Sequence, residues 1–252
     1  MIIAIISDIH EDIVSLKKAL KIIEENNCCK IVCLGDILGY PYLNGKYENS
    51  KNVNECINII KSNCIDVVLG NHDIYHLLNS KHKIEFTYNN LFYTKSKNLY
   101  KDSELELTEN NFEYLISLPE FKFITLSEKT YLFSHYLYPN INGLNEIEIS
   151  NSSIHKIHFD FMNSNNCNIS ICGHLHIDGI GVCYKPFSNI LSRFLNGFNY
   201  SQNCEVSMKN LPCCVTIPAI ANFGGFSGFV LFDTESLVLQ VISLSYKRQI
   251  LL

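Results

Sequence analysis

Asp66-Val67-Val68-Leu69-Gly70-Asn71-His72-Asp73 is the stretch around which this 252-residue chain is organised. Residues 66–69 predict a short buried strand, and Gly70 lets the backbone turn sharply where that strand ends. Three polar side chains of different chemistry then follow within a single turn. Glycine, asparagine and aspartate are ordinary turn residues, so the stretch indicates a functional site only if other strands end in similar residues.

The sequence before this stretch predicts an alternation of strands and helices. Apolar runs at Ile2–Ser7 and Ile31–Leu34 have the length of strands, and apolar spacings of three and four residues from Ile13 to Ile23 predict an amphipathic helix. Strand, helix and strand in this order are typical of a parallel βαβ unit. A second helix, from Val53 to Ile60, leads into the strand at 66–69.

Residues 74–118 have a helical but less regular pattern. Thr108 can cap a helix whose inner face is expected to be Phe112, Leu115 and Ile116, and Pro119 closes it.

From Phe121 onward the sequence becomes β-rich. Phe121–Leu126 and Thr130–Ser134 predict a hairpin, and a helix near 154–162 precedes a strand at Ile169–Cys172. Further strands are expected near 177–184, 213–217, 227–232 and 237–243. This end of the chain should therefore be largely antiparallel.

Together these elements predict an α/β fold in which a single domain spans residues 1–252. We expect a four-layer αββα sandwich of two mixed β-sheets flanked by helices. The βαβ-type sheet should come from the first half of the chain, and the second sheet from the β-rich half.

Composition excludes several classes of protein. The net charge is −5 with 20 basic and 25 acidic residues, and only Arg193 and Arg248 are arginines, so no dedicated nucleic-acid surface is expected. The N-terminus lacks the features of a signal peptide, and no apolar run approaches the length of a membrane span. We therefore expect a cytoplasmic protein, whose 11 cysteines are mostly buried, reduced thiols.

Five apolar runs end in residues that commonly bind metals. The five ends are Ser7-Asp8-Ile9-His10, Gly35-Asp36, Gly70-Asn71-His72-Asp73, Ser134-His135 and Gly173-His174-Leu175-His176. Open α/β sheets bind ligands at the carboxyl ends of their strands, so side-by-side strands would bring these residues together. One such residue is more often a turn or cap residue, but five strand ends of this kind favour a site.

The chemistry of this set suits divalent metal ions. Imidazole, carboxylate and amide oxygen together favour Mn²⁺, Fe²⁺ and Zn²⁺ over Ca²⁺. Seven ligands are too many for one tetrahedral ion but suit two ions about 3.5–4 Å apart that share a carboxylate, as used for displacement at phosphorus. The remaining histidines are interpreted as solvated or core residues, with a supporting role open for His76; they are His76, His82, His155 and His158.

The order of these motifs, D-x-H, G-D, G-N-H-D, H and G-H-x-H, resembles the calcineurin-like metallophosphoesterase superfamily over residues 5–180. Gly35–Tyr40 and the later Asn54-Glu55-Cys56 are similar to a small prokaryotic branch of it. Pro41 stands where that branch usually has glycine, and Tyr42–Asn52 has the character of an insertion. The resemblance implies that the β-rich C-terminus forms the second sheet.

The resemblance also implies a role for each motif residue. Asp8, His10, Asp36 and His176 would bind the first ion, while Asn71, His135 and His174 would complete the second, with Asp36 bridging both. A hydroxide between the ions would be the nucleophile. His72 would bind no metal and would act as the catalytic acid beside the phosphate, and Asp73 would orient the turn. Manganese is the expected metal, with iron, zinc or nickel as alternatives.

Two classes of function follow from this resemblance. The first is a metal-dependent phosphoesterase acting on phosphomonoesters or small phosphodiesters, with phosphoprotein and nucleotide-type substrates both open. The second is a non-catalytic metal-binding scaffold of the same fold that binds a protein partner. A DNA nuclease is disfavoured by the acidic, arginine-poor composition. Segments 84–100 and 136–148 are expected to shape the mouth of the site, and the sequence leaves the oligomeric state open.

Overall fold

Two six-stranded mixed β-sheets form the centre of the computed structural model. The structure describes residues 1–39, 51–79, 106–144, 152–184, 198–201, 205–222 and 225–245. The predictions for the aromatic segment 84–100, for His82 and for most of the insertion at Tyr42–Asn52 lie outside these residues, as does the end of the loop 136–148.

The described elements alternate first between strand and helix and later run mainly as strands. The strands are β1 (Ile2–Ile6), β2 (Lys30–Cys33), β3 (Asp66–Val67), β4 (Phe121–Leu126), β5 (Lys129–Ser134), β6 (Ile169–Cys172), β7 (Ile180–Tyr184), β8 (Asn199–Ser201), β9 (Glu205–Ser207), β10 (Cys213–Thr216), β11 (Gly228–Asp233) and β12 (Val238–Ser243). The helices are α1 (Ile13–Glu25), α2 (Val53–Asn63), α3 (Asn71–Asn79), α4 (Glu109–Ile116) and α5 (Ser152–Ser164). None of these helices is long and apolar enough to cross a membrane.

The two sheets do not divide the chain into halves, and on this point the sequence prediction was wrong. The first sheet has the order β3-β2-β1-β11-β12-β9, and the second has the order β4-β5-β6-β10-β7-β8. The C-terminal strand β11 pairs antiparallel with β1, from Ile2 opposite Asp233 to Ile5 opposite Val230. This pairing covers the edge that the parallel β1–β2 unit would otherwise leave open. An open apolar edge can pair with other chains and cause aggregation.

The burial pattern of β1 shows how the four layers form. Ile3 and Ile5 pack between the two sheets, with Phe133 and Ile171 from the second sheet. Ala4 and Ile6 point the other way, into the layer of α1 and α2. Alternate residues of a strand face opposite sides of the sheet, so a single apolar run contributes to the core on both sides of the first sheet. A third apolar cluster lies between the second sheet and α5, and the predicted αββα sandwich is confirmed.

Several local predictions were tested by the structure. Thr108 caps α4, since its side chain accepts a hydrogen bond from Asn111 N. Ile116 is 40% exposed, so the prediction that it faces inward was wrong, and Asn111 is buried instead, where its amide contacts Asn54. The short strands β8 and β9 were not predicted. All ten cysteines among the described residues are free thiols, and seven are buried, as expected.

Candidate metal centre

The five polar strand ends meet between the two sheets. The structure corrects the expectation of five strands side by side, because β1, β2 and β3 belong to the first sheet and β5 and β6 to the second. Among the described residues, three overlapping triads have ligand atoms close enough to hold an ion. These are Asp8–His10–His176, His10–Asp36–His72 and Asp8–Asp36–His135.

Five of the seven predicted ligands have left-handed backbone conformations. They are Asp8 (φ 53°), His10 (φ 46°), Asp36 (φ 50°), His174 (φ 68°) and His176 (φ 47°). Residues other than glycine adopt this region at a cost, and such strain concentrates at functional sites. The turns after the strands therefore direct these side chains inward, and the cost is a strained backbone conformation.

The Asp8 carboxylate lies at the centre of the first group of donors. Its Oδ1 is 3.2 Å from His176 Nε2 and 3.9 Å from the Nε2 atoms of both His10 and His135. Its Oδ2 accepts a hydrogen bond from the backbone N–H of His174 at 3.0 Å. One carboxylate therefore lies close to residues of its own motif and of two others, Ser134-His135 and Gly173-His174-Leu175-His176.

Backbone carbonyls orient two of the histidines. The Nδ1 atom of His10 lies 2.6 Å from Gly39 O, and that of His135 lies 2.8 Å from Leu34 O. A carbonyl only accepts, so we assign the Nδ1–H tautomer to both rings. Each Nε2 then faces the cluster, and in the neutral ring it offers the lone pair that a metal ion can take, as in metal-binding histidines whose other nitrogen is held by a second group.

A second group of donors adjoins the first. Asn71 Oδ1 lies 3.0 Å from His135 Nε2 and 3.1 Å from His174 Nδ1, and these two ring nitrogens are 3.1 Å apart. In the first group, His10 Nε2 and His176 Nε2 also approach to 3.1 Å. Ring nitrogens and an amide oxygen that face one another this closely have the arrangement of atoms shared by a cation.

Asp36 and Asp73 join the second and third strand ends. Asp36 Oδ1 accepts a hydrogen bond from His72 N at 2.9 Å, and its Oδ2 lies 3.3 Å from His135 Nε2. Asp73 accepts backbone hydrogen bonds from Ile37, Leu38 and Gly70. The prediction that Asp73 orients the turn is confirmed, because its carboxylate fastens the 35–38 turn to the start of α3.

His72 lies at the edge of the cluster. Its ring meets that of His10 edge-on, with centroids 4.8 Å apart, and it forms a triad with His10 and Asp36. This position is compatible with binding a metal as well as with acting on a substrate. That His72 binds no metal stays a prediction.

Among the described residues of the cluster, three histidines keep contact with solvent. Asp8, His10, Asp36, Asn71 and His135 are buried, whereas the His176 side chain keeps 32% exposure and His72 and His174 are partly exposed. A small charged molecule can therefore approach the cluster from the side of these three histidines.

Comparison with known proteins agrees with this geometry. The sequence profile of the calcineurin-like phosphoesterase superfamily domain matches residues 1–190. The chain belongs to the calcineurin-like phosphoesterase superfamily. An uncharacterized protein of Methanocaldococcus jannaschii is 35% identical over 135 residues, which are 53% of this chain and 48% of that protein. The match thus spans about half the length of that relative.

Solved structures show the same fold. A metallophosphoesterase of Sphaerobacter thermophilus is 18% identical with a TM-score of 0.67, covering 98% of this chain and 89% of that one. A hypothetical protein of Pyrococcus horikoshii is 16% identical with a TM-score of 0.58, covering 99% and 90%. A phosphoesterase of E. coli is 15% identical with a TM-score of 0.50, covering 97% and 94%.

The donor set of this phosphoesterase-family chain fits divalent ions of the kind its family uses. Burial and the neighbouring His72 lower the pKa of His10 to about 3, and burial with His135 lowers that of His174 to about 4, so both rings are neutral at pH 7. Burial alone would raise the pKa of Asp8, but His176 and His135 hold it well below its usual range. Neutral imidazoles beside ionised carboxylates are the protonation states that metal ions require.

Binding of a metal ion by His135 is expected to depend on pH. Burial disfavours its charged form, but Asp36 and Asp8 outweigh burial and raise the pKa of His135 to about 9. Below that pH the metal-free ring carries a proton on Nε2, which an ion must displace. We expect the apparent Mn²⁺ affinity to rise roughly tenfold per pH unit between about pH 6 and 8. Titration calorimetry in buffers of different ionisation enthalpy should detect the released proton, and uptake without proton release at neutral pH would contradict this assignment.

Gly143 packs directly against the second group of donors. A Cβ added there would lie 2.7 Å from His174 Nδ1 and 3.1 Å from Asn71 Oδ1, and its φ of +80° favours glycine. Because small displacements of reacting groups cost up to about 10²-fold in rate, we expect Gly143→Ala to lower kcat at least about tenfold. Steady-state kinetics with saturating Mn²⁺ measure this effect. Gly225→Ala, whose Cβ would meet nothing within 4 Å, is the control and should keep the parent rate.

Three residues outside the ligand motifs are buried, and the sequence alone did not reveal their contacts. His158, interpreted as a solvated or core histidine, is buried and links Tyr138 N to Ser170 Oγ, while burial lowers its pKa to about 3. His155 is likewise buried. Glu11 was not singled out at all, although it follows His10 directly and its carboxylate is fully buried. An acidic residue next to a metal motif was the signal that could have found it.

Proposed function

We propose that this protein is a dinuclear metal-dependent phosphoesterase that hydrolyses phosphomonoesters or small phosphodiesters. One observation carries the proposal: ligand-type residues from five strand ends of both sheets converge in a largely buried cluster, in which three histidines keep contact with solvent. The proposed ligands form two groups that meet at a carboxylate. They are Asp8, His10, Asp36 and His176 for the first ion, and Asn71, His135 and His174, with Asp36 shared, for the second.

The residues of this chain have distinct tasks in the proposed reaction. When bound, divalent ions would supply Lewis acidity that makes water a stronger nucleophile and offsets negative charge on the phosphate. The carboxylates of Asp36 and Asp8 supply negative charge at the centre of the site. The backbone carbonyls of Gly39 and Leu34 orient the rings of His10 and His135 so that their Nε2 atoms face these carboxylates. The buried walls exclude bulk water, which strengthens these interactions.

His72 is the proposed catalytic acid. It is the second residue of α3, its backbone N–H donates to Asp36, and its partly exposed ring lies next to His10. From there its imidazolium can donate a proton to the leaving oxygen and stabilise developing charge. Manganese is the proposed metal, with iron, zinc or nickel as alternatives, because all accept this mixture of nitrogen and oxygen donors.

Generic substrates test the proposal most directly. Purified protein loaded with Mn²⁺, with metal content verified by elemental analysis, should hydrolyse a nitrophenyl phosphate monoester or diester. Turnover should disappear with chelator and return with Mn²⁺. If the protein with both metal sites filled turned over neither substrate type, the phosphoesterase proposal would be refuted. The scaffold hypothesis would then remain, and it predicts a protein partner that binds in a stoichiometric complex.

Several further expectations belong to this proposal. The physiological substrate is proposed to be a small phosphorylated molecule, a nucleotide-type compound or a phosphoprotein. Residues 1–252 are proposed to act as a single domain, and a cytoplasmic location stays a prediction. A screen of phosphorylated metabolites, nucleotides and phosphopeptides is the experiment that separates the substrate classes.

A further inference from the structure

Glu11 holds a buried carboxylate beside the metal cluster without belonging to any of its triads. Its side chain is fully buried and its φ is +64°, a conformation that favours glycine. The main chain is fixed on both sides, because Glu11 N donates to Ile37 O and Glu11 O accepts from Asn52 N. A charged residue in such a position calls for a physical reason, since burial of a carboxylate is costly unless it is paired and hydrogen-bonded.

Within the described part of the chain, the Glu11 carboxylate contacts Gly39 and Lys51. Its Oε1 accepts the backbone N–H of Gly39 at 3.1 Å, and its Oε2 lies 3.4 Å from Lys51 Nζ. The carbonyl of the same Gly39 accepts from His10 Nδ1 at 2.6 Å. Gly39 therefore makes two hydrogen bonds to this turn. Its N–H donates to the Glu11 carboxylate, and its carbonyl accepts from the His10 ring.

Gly39 also supports His72. A Cβ added at Gly39 would fall 2.2 Å from His72 Nδ1 and 2.7 Å from His72 Cβ, so the glycine backbone lies directly against this ring. The position of one backbone unit therefore affects both a proposed metal ligand and the proposed acid.

We propose that Glu11 is a positioning residue that fixes Gly39, so that the Gly39 carbonyl holds His10 in its metal-binding tautomer and the Gly39 backbone supports His72. The inference rests on the proposed function, because it assigns His10 to the first ion. It goes beyond that function by adding a residue outside the ligand motifs. Supporting residues of this kind typically affect metal affinity or activity about 10–100-fold.

Two Glu11 variants and one control separate positioning from mere stability. Glu11→Gly removes the carboxylate while suiting the positive φ. Glu11→Gln keeps an oxygen that can accept the Gly39 N–H. Asp12→Asn changes the neighbouring buried carboxylate, which accepts from Ser15 N and Asn222 N and makes no hydrogen bond to Gly39.

The first readout is Mn²⁺ binding by calorimetry of chelator-treated protein. Glu11→Gly should weaken one of the two binding steps about 10–100-fold and leave the other near the parent value. Glu11→Gln should recover most of the loss, and Asp12→Asn should bind both ions like the parent. Two unchanged binding steps in Glu11→Gly would overturn the proposal.

The second readout does not depend on metal or turnover. Imidazole ¹⁵N NMR of the metal-free protein should show His10 as the Nδ1–H tautomer in the parent and in Glu11→Gln, and a shift toward a tautomer mixture in Glu11→Gly. An unchanged His10 tautomer in Glu11→Gly would overturn the proposal even if the protein proved to have no phosphoesterase activity. Should Glu11→Gly fail to fold, Glu11→Asn replaces it, because asparagine tolerates the positive φ and its shorter side chain falls short of Gly39 N; it should show the same shift of the His10 tautomer, and an unchanged tautomer would overturn the proposal.

Lys51→Met distinguishes the two partners of Glu11. This variant removes the ion pair but leaves the Glu11–Gly39 hydrogen bond. Positioning through Gly39 predicts a parent-like His10 tautomer and parent-like metal binding in Lys51→Met. Loss of metal binding in both Lys51→Met and Glu11→Gln would show that the ion pair, and not the bond to Gly39, is what matters.

Discussion

His72→Ala should retain its metal ions and lose most of its activity. General acid catalysis contributes about 10²–10⁴-fold, so we expect kcat to fall by a factor in this range. The ligand triad Asp8–Asp36–His135 and the Asn71–His174 contact do not involve the His72 side chain. Elemental analysis beside steady-state kinetics therefore measures the two roles separately.

The leaving group sharpens this test of His72. A nitrophenolate needs little protonation, whereas an alkyl leaving group needs it strongly. The loss in His72→Ala should therefore be larger for an alkyl ester than for a nitrophenyl ester. His76→Ala, one helical turn later on α3, is the matched control and should keep the parent activity. Loss of an ion from His72→Ala would instead indicate that the His10–Asp36–His72 triad binds metal.

The strand-end motifs could be predicted from sequence because each consists of a few consecutive residues. An apolar run followed by aspartate or histidine indicates both a strand and a polar side chain at its end, and the structure has β1 and β6 followed by Asp8 and His174, which lie in contact. The four-layer fold was predictable for the same reason, since alternate residues of each apolar strand had to be buried on both faces.

Long-range pairing was not predictable in this way. Whether β11 joins the first or the second sheet depends on which open edge it covers, and nothing local in residues 228–233 specifies β1 as its partner. The inward position of Asn111 instead of Ile116 depends on the contact of its amide with Asn54, a residue more than fifty positions away. Glu11 was missed because its function lies in a hydrogen bond to Gly39 that only the folded chain creates.

Asp36→Asn should have the largest effect on the metal centre. Asp36 Oδ2 lies 3.3 Å from His135 Nε2 and 3.8 Å from His10 Nε2, so it touches one member of each ligand group. An asparagine retains the oxygen that accepts from His72 N but removes the charge between the ions. We expect both ions to bind more weakly and kcat to fall at least about 10³-fold, since a shared carboxylate holds the two-ion arrangement together.

Asp8→Asn is the comparison that identifies the bridging residue. Asp8 Oδ1 also approaches both groups, at 3.2 Å from His176 Nε2 and 3.9 Å from His135 Nε2. If Asp36 alone bridges, Asp8→Asn should weaken only the first ion in a calorimetric Mn²⁺ titration, whereas Asp36→Asn weakens both. Asp66→Asn, which breaks an ion pair between β3 of the first sheet and Lys122 on β4 of the second, controls for the loss of one carboxylate and should bind both ions. Equal loss of both ions in Asp8→Asn and Asp36→Asn would mean that the charge is shared by two bridging carboxylates, because each then contributes to both sites.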